Sequence, residues 1–208
     1  KTPEFKDYAP NGLQIEGKAE VKKILCAVTA SQDAIDAAIA QQADLLLVHH
    51  GYFWKGEPYP ITGMRGKRIK ALIQHDISLV AYHLPLDSHP TLGNNAAIAD
   101  ILELEIFEAL DASERHPIGN IGYLKQALSP DAFKAMLTER LGFETIHLPA
   151  NKASIQKVGF CTGAAQDFIS KAAEQNCDAY ISGEVSERTY YEAKELDVHY
   201  YACGHHAT

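Results

Sequence analysis

Three groups of histidine and carboxylate residues, each following an apolar run, carry the chemistry that this sequence offers. They are, in chain order, His49 with His50, His83 with Asp87, and His205 with His206. Imidazole nitrogens and carboxylate oxygens are common protein ligands of zinc, iron and manganese. The three groups therefore predict a metal site, and such a site favours a metal-dependent hydrolase.

The adjacent histidines raise a geometric question, because successive side chains of a strand point to opposite faces. The run 45–48 predicts a short buried strand, and Gly51 follows the pair directly. At a strand end that runs into glycine this restriction relaxes, and the pair could also serve two metals roughly 3.5–4 Å apart. An isolated pair would more often place one histidine at the strand end and expose the other. Ligand-type residues after other predicted strands favour the metal interpretation.

The second group follows a predicted strand at 77–82. Pro85 disfavours a helix here, because it restricts Leu84 and lacks a backbone donor, so we predict a turning loop. Asp87 is a candidate metal ligand, with a cap for the coming turn as an equally frequent alternative. His83 is either a ligand or a residue that orients one. In the third group we select His205, which lies nearer the predicted strand 198–203.

Strands alternate with helices along most of the chain, which is typical of an α/β fold with parallel strands. The remaining predicted strands are residues 21–29, 155–160 and 179–182, and the predicted helices are residues 31–40, 65–75, 94–102, 130–141, 167–176 and 187–196. Residues 1–17 are expected to be mostly loop, and the pattern weakens around 105–125. We divide the chain into an N-terminal α/β domain (1–104), a linking or inserted α+β segment (105–153) and a second α/β half (154–208).

Two stretches match without a gap at an offset of 134 residues. The matching pairs are Lys23/Lys157, Gln32/Gln166, Asp33/Asp167, Ile35/Ile169, Ala38/Ala172, Gln41/Gln175 and Asp44/Asp178. Generic strand–helix–strand units would share some Ala and Gln, but agreement through both loops favours an internal duplication. His49 and His50 then correspond to Gly183 and Glu184. Ligands bind at the carboxyl ends of parallel strands, so we predict a metal site in the cleft between the two halves.

The bulk properties exclude several classes of protein. The formal charge of −8, from 19 basic and 27 acidic residues, argues against nonspecific binding to nucleic acid. No apolar run approaches the roughly 18 residues of a membrane span, and no secretory signal opens the chain. The four cysteines are widely spaced without a CxxC pair, which predicts reduced thiols in a cytoplasmic protein. Walker A, GxGxxG, GxSxG and HExxH motifs are all missing.

Five segments together carry a resemblance to a known family: DYAPNGLQ (7–14), HHG (49–51), HLPLD (83–87), SGE (182–184) and GHHAT (204–208). In this order they resemble the NIF-three-like family, also known as GTP cyclohydrolase I type 2 homologues, and in particular its bacterial YbgI-type branch. The resemblance implies two similar α/β domains, two divalent metal ions between them and a toroidal homohexamer built as a trimer of dimers. The ligands it implies are His49, His50, Asp87 and His205, with His83 in or beside the ligand set.

The resemblance also implies a glutamate directly after the Thr of the last motif, reaching both metals. Thr208 is the last residue of this sequence. A bridging anion offsets the repulsion between two adjacent cations. If the protein lacks this glutamate, we therefore expect it to bind a second metal weakly or not at all.

The implied activity is metal-dependent hydrolysis, because a divalent ion lowers the pKa of its bound water to about 7. The water would attack the imidazole carbon of GTP and release formate, or attack a phosphoester. Glu184 is the predicted catalytic residue, transferring protons. The alternative is a metal-binding, ring-shaped scaffold or regulatory binding protein without catalytic activity. Five candidate ligands favour the open site of an enzyme over a closed, four-ligand structural site.

Overall fold

Two separate sheets organise the chain, and the computed structural model describes residues 5–208. The chain divides into two units, the first ending at Leu86 and the second comprising Asp87–Thr208. Among the described residues, no helix is both long and apolar enough to cross a bilayer. The expected mixed α/β class is confirmed, while the finer division at residues 104 and 153 stays a prediction.

Over residues 5–86, the first unit contains four strands and two full helices. They are β1 (Gly12–Ile15), β2 (Ile24–Thr29), α1 (Gln32–Ala40), β3 (Leu45–His50), α2 (Gly63–Gln74) and β4 (Ser78–Ala81). The sheet order is β1–β4–β3–β2, in which β2, β3 and β4 are parallel and β1 is antiparallel to β4. A single helical turn, α3 (Leu84–Asp87), follows β4 and spans the division between the units.

Local sequence and core packing explain why β3 is held firmly. Ser31 begins α1, and its hydroxyl oxygen accepts a hydrogen bond from the Ala34 amide at 3.2 Å. Leu46 of β3 is fully buried in a cluster that also includes Ile35 of α1 and Leu72 of α2. Burial of such a side chain contributes about 1.5–3 kcal/mol relative to leaving it exposed. The core therefore fixes the strand whose last two residues are histidines.

The second unit contains six strands and four helices among its described residues. They are α4 (Asn94–Leu102), β5 (Glu105–Ala109), β6 (Asn120–Leu128), α5 (Pro130–Leu141), β7 (Ile146–Leu148), β8 (Ile155–Phe160), α6 (Ile169–Glu174), β9 (Ala179–Ser182), α7 (Glu187–Glu195) and β10 (His199–Ala202), with a 3₁₀ turn at Gln166–Phe168. The sheet order is β5–β6–β8–β9–β10–β7. Strands β8, β9 and β10 are parallel, and the remaining neighbours pair antiparallel.

The same arrangement of four strands occurs in each unit, as β1–β4–β3–β2 and as β7–β10–β9–β8. The residues at the matched positions also make matched hydrogen bonds. Asp44 accepts a bond from the Lys23 amide at 2.9 Å, and Asp178 accepts one from the Lys157 amide at 2.9 Å. The ammonium group of each lysine donates to a backbone carbonyl at 2.6 Å, at positions that also correspond.

The structure corrects the expectations from sequence in three regions. Residues 84–87 form a helical turn and not a loop, because Pro85 lies in the first turn of α3, where its missing amide hydrogen is harmless. The segment 1–17, expected to be mostly loop, contains the four-residue strand β1; its residues 1–4 lie outside the described residues. The weak region 105–125 contains β5 and the start of β6, which pair antiparallel.

Candidate metal centre

The last two residues of β3 are the histidine pair. His50 lies in register with Thr29 of β2, and the preceding Leu46 and Val48 are buried. The imidazole ring centroids of His49 and His50 are 4.6 Å apart, although the two residues are neighbours on a strand. The pair converges because β3 ends here and the chain turns at Gly51.

His83 follows β4 and brings a third imidazole to the pair. Its ring centroid is 5.0 Å from that of His49 and 5.8 Å from that of His50. One potential ligand atom from each of the three side chains lies within 4.8 Å of the other two, and all three residues are partly buried. This group, called the His49/His50/His83 cluster below, could hold a metal ion.

The Nδ1 atom of each ring in the cluster contacts a polar group of the first unit. His49 Nδ1 lies 2.8 Å from the Tyr82 carbonyl, and His50 Nδ1 lies 3.1 Å from the Thr29 hydroxyl. A carbonyl oxygen only accepts, so His49 Nδ1 carries the hydrogen and a neutral ring has its lone pair on Nε2. This is the tautomer that a metal-binding imidazole needs when Nε2 is the ligand atom.

The partner of the His83 ring is Asp7, which our sequence reasoning did not assign to the site. Asp7 Oδ1 accepts a hydrogen bond from His83 Nδ1 at 2.7 Å. Burial alone would raise the pKa of the Asp7 carboxyl, but hydrogen bonds from His83, Asn11 and the Tyr8 amide outweigh it and lower the pKa to about 2. The signal available in the sequence was the DYAPNGLQ motif, which contains Asp7 and Asn11 but does not show what they contact.

Gln14, from the same motif, holds the chain immediately after the histidine pair. Its side-chain oxygen accepts from the Tyr52 amide at 2.7 Å, and its side-chain nitrogen donates to the Tyr52 carbonyl at 3.1 Å. The Gln14 side chain passes so close to Gly51 that a Cβ atom there would lie 2.7 Å from Gln14 Cδ and 2.9 Å from Ala81 Cβ. Glycine at position 51 is therefore required by this close approach.

Trp54 packs beside the cluster. Its ring centroid is 4.9 Å from that of His83 in an edge-on arrangement and 6.0 Å from that of His50. The Trp54 indole nitrogen donates to the Gly51 carbonyl at 3.1 Å. Two residues before Trp54, Tyr52 is buried and donates its hydroxyl hydrogen to the Ala30 carbonyl at 2.7 Å.

Arg65 stabilises the loop that follows Trp54. Its guanidinium donates to Glu57 at 2.8 Å, to the Pro60 carbonyl at 3.1 Å and to the Pro58 carbonyl. Glu57 in turn accepts from the Trp54 amide at 3.1 Å. Arg65, near the start of α2, thus holds the loop that connects Trp54 to this helix.

Asp87, the carboxylate predicted as a ligand, is buried in the second unit. Its Oδ1 accepts from the Asn94 amide group at 2.7 Å and from the Thr162 hydroxyl at 3.4 Å. Its backbone carbonyl accepts from the Asn95 side chain at 3.1 Å, and Asn95 also binds the Thr162 amide at 3.1 Å. These contacts fix the carboxylate at the start of the second unit.

His205 and Glu184, also in the second unit, form a pair. Glu184 Oε1 accepts from His205 Nδ1 at 2.6 Å, and the two side chains are 47% and 36% exposed. The backbone at Gly163 lies close to the His205 ring, since a Cβ atom on Gly163 would be 3.2 Å from His205 Nε2. Glu184 follows β9 and His205 follows β10, so both predicted residues lie at the carboxyl ends of parallel strands.

The donor set of the His49/His50/His83 cluster suits zinc or iron. The ligand atoms of the three rings lie within 4.8 Å of one another. Metal–nitrogen bonds are about 2.0–2.1 Å long, so the rings would draw closer together on binding one ion. Three imidazoles leave further coordination positions open, as in catalytic zinc sites. Imidazole alone does not choose among zinc, iron, copper and nickel.

Comparisons with known proteins give consistent results. The model of the family described as Duf34/NIF3 (NGG1p interacting factor 3) matches residues 1–208. The chain is 51% identical to a Vibrio cholerae protein and 52% identical to a Pasteurella multocida protein, each named GTP cyclohydrolase 1 type 2 homolog. The first match covers 98% of this chain and 81% of the Vibrio cholerae protein. The second covers 97% of this chain and 80% of the Pasteurella multocida protein. The solved structure of protein ybgI is similar with a TM-score of 0.94 at 43% identity, covering 99% of this chain and 82% of that one.

Proposed function

The chain belongs to the Duf34/NIF3 family, and we propose that it is a metal-dependent hydrolase with a dinuclear divalent-metal centre that acts on a nucleotide-like substrate. The observation that carries this proposal is the His49/His50/His83 cluster. A structural zinc site is normally closed by four protein ligands, whereas three imidazoles leave room for water and substrate. The cluster therefore favours catalysis over a purely structural role.

Each residue around the cluster has a defined task in this proposal. His49, His50 and His83 hold the metal, and the Tyr82 carbonyl keeps the Nδ1 hydrogen on His49. When bound, a divalent ion supplies a Lewis acid and lowers the pKa of a coordinated water to about 7. Trp54 packs against two of the three rings and limits their movement.

Three residues of the second unit complete the proposal. Asp87 and His205 are the further ligands that the family likeness implies. Glu184 is the proposed proton carrier, because its half-exposed carboxylate is hydrogen-bonded to His205 and can exchange a proton with solvent. Replacement of each residue by alanine, followed by measurement of metal content and turnover, separates ligands, which lose metal, from a proton carrier, which loses turnover alone.

The proposed substrate class rests on the name of the relatives, GTP cyclohydrolase 1 type 2 homolog. Water added to the imidazole carbon of a purine nucleotide opens the ring, and a second water releases that carbon as formate. Phosphoester hydrolysis is the second reaction to test, since the same ligands suit both. A homohexamer, as a trimer of dimers, is the proposed assembly, and light scattering measures its mass.

We also propose that the two units arose by internal duplication. Their shared strand order and the matched hydrogen bonds of Asp44 and Asp178 support this origin. Replacement of either aspartate by alanine should lower the thermal midpoint, because each holds the loop before its second parallel strand. A loss at only one of the two positions would count against equivalent roles.

Metal content and turnover of matched histidine variants test the function. The wild-type chain, His83→Ala and His75→Ala are compared, because His75 is an exposed histidine of the same unit outside the cluster. We expect bound metal and turnover of GTP or p-nitrophenyl phosphate in the wild type and in His75→Ala, and loss of both in His83→Ala. A chelator should abolish turnover and added metal should restore it.

Two outcomes contradict the proposal in different ways. A wild-type chain that binds no zinc, iron or manganese would refute the metal site. A chain that binds metal through the cluster but turns over neither substrate would refute the hydrolase and favour a metal-binding scaffold or regulatory protein. The number of metal ions per chain decides between a mononuclear and a dinuclear centre.

A further inference from the structure

We propose that Asp7 is a positioning residue that holds His83 in the Nδ1–H tautomer and so directs Nε2 towards the metal. The role towards metal rests on the proposed function, whereas the tautomer is a property of the protein alone. Asp7 is neither one of the predicted ligands nor the predicted catalytic residue.

The Asp7 carboxylate is fixed by four hydrogen bonds. Oδ1 accepts from His83 Nδ1 at 2.7 Å and from the Tyr8 amide at 2.6 Å. Oδ2 accepts from the Asn11 side chain at 2.8 Å and from the Leu84 amide at 3.0 Å. The Asp7 side chain is only 3% exposed, so it cannot turn away from His83 without losing several bonds at once.

The backbone of His83 is held by the same segment. Asn11 Oδ1 accepts from the His83 amide at 2.7 Å, while Asn11 Nδ2 donates to Asp7. Together Asp7 and Asn11 bind the His83 ring, its amide and the next amide along the chain. Both the position and the rotation of the imidazole are therefore determined by residues 7–11.

The chemistry of the partner determines the tautomer. An ionised carboxylate only accepts hydrogen bonds, so His83 Nδ1 must carry a hydrogen, and in the neutral ring Nε2 has the lone pair. A carboxylate partner also makes the imidazole a more basic ligand, and removal of such a partner typically weakens metal binding by about 10–100-fold. The Nδ1 atom of His49 has an uncharged carbonyl in the equivalent place, whereas the partner of His83 Nδ1 is a charged carboxylate.

The test compares Asp7→Asn with Asp44→Asn on the full chain. Asparagine keeps the shape of Asp7 but cannot offer acceptors to all four donors. Asp44 also accepts two backbone amides and a lysine in the first unit, but its side chain makes no hydrogen bond to a histidine of the cluster. Zinc affinity by competition with a chelator should fall about 10–100-fold in Asp7→Asn and stay unchanged in Asp44→Asn.

A second readout does not depend on metal. Long-range ¹H–¹⁵N correlation spectra of the metal-free chain report which nitrogen of His83 carries hydrogen. We expect Nδ1–H in the wild type and in Asp7→Glu, which keeps a carboxylate, and a shift towards Nε2–H in Asp7→Asn. Wild-type zinc affinity and an unchanged tautomer in a folded Asp7→Asn would overturn the proposal.

The spectra of the metal-free wild type test the role of Asp7 even if Asp7→Asn does not fold or the chain binds no metal. Should Asp7→Asn not fold, the tautomer of the wild type still decides, because Nε2–H at His83 would by itself refute the positioning role. Should the wild type bind no metal, the proposed function fails, while the spectra separately support or refute control of His83 by Asp7.

Discussion

Replacement of Gly51 by alanine should destabilise the protein through a specific pair of contacts. The new methyl group would overlap the Gln14 side-chain oxygen and lie 2.9 Å from Ala81 Cβ. The Gln14 amide can swing away, but Ala81 belongs to β4 and cannot. Relief of the overlap therefore costs the Gln14 hydrogen bonds and still leaves a crowded contact with the sheet.

The expected magnitude follows from these two parts. Tyr52 is buried, and loss of the partner of its amide costs about 1–3 kcal/mol. Overpacking against Ala81 costs typically about 1–3 kcal/mol. Because the flexible Gln14 absorbs part of the overlap, we expect a combined loss of about 2–4 kcal/mol, or roughly 4–16 °C in thermal midpoint for a chain of this size.

A double-mutant cycle with Gln14→Ala isolates the mechanism. In that background the Gln14 contacts are already lost, so Gly51→Ala should cost at least about 1 kcal/mol less than in the wild type. The assay is thermal or urea unfolding followed by circular dichroism. Gly56→Ala is the control variant. A Cβ atom at Gly56 would meet nothing within 4 Å, so the only expected cost there comes from the positive φ of 94°. Additive effects of Gly51→Ala and Gln14→Ala would refute the reasoning.

Three further predictions concern acid stability, metal binding and thiol accessibility. Hydrogen bonds, of which that from the Lys22 amide is the largest influence, lower the pKa of Asp44 from 3.8 to about 2. The stability it contributes is thus present above about pH 4 and lost as the pH falls towards 2; acid unfolding of Asp44→Asn should lack this component, and an unchanged pH profile would contradict it. Trp54 is the only tryptophan, so paramagnetic Co²⁺ at the cluster should quench the intrinsic fluorescence, and His83→Ala should abolish the quenching. Cys26 is exposed while the other thiols are buried, with pKa values that burial raises, so a thiol reagent should label one cysteine per native chain and four after unfolding; more than one in the native state would be a contrary result. The buried cysteines are Cys161, Cys177 and Cys203.

Most elements of the fold could be predicted from local sequence. The helices at 94–102 and 130–141 and the strands at 155–160 and 179–182 have the predicted bounds. Their signals were short apolar runs for the strands and, for α5, Ser129 as the cap followed by Pro130. Such signals act within a few residues, so they require no knowledge of the tertiary structure.

The short edge strands β1 and β7 and the helical turn after His83 could not be predicted in this way. Strand β1 forms because Gly12–Ile15 pairs with β4, almost seventy positions later in the chain. Strand β7, only three residues long, forms on the edge of β10 in the same manner. Pairing over such distances depends on which chain segments become neighbours, and short strands lack a periodic pattern of their own.

For the candidate site too, part could be predicted from residue types and part is visible only in the folded chain. The residue types alone identified His49, His50 and His83 as metal-binding candidates, because imidazoles after buried strands are chemically recognisable at any distance in sequence. Only the folded chain shows that the three rings meet, that Asp7 holds the third one and that Gln14 requires glycine at position 51. Hydrogen bonds and close packing act over a few ångströms in space, and a sequence does not specify which residues come that close until the sheet has formed.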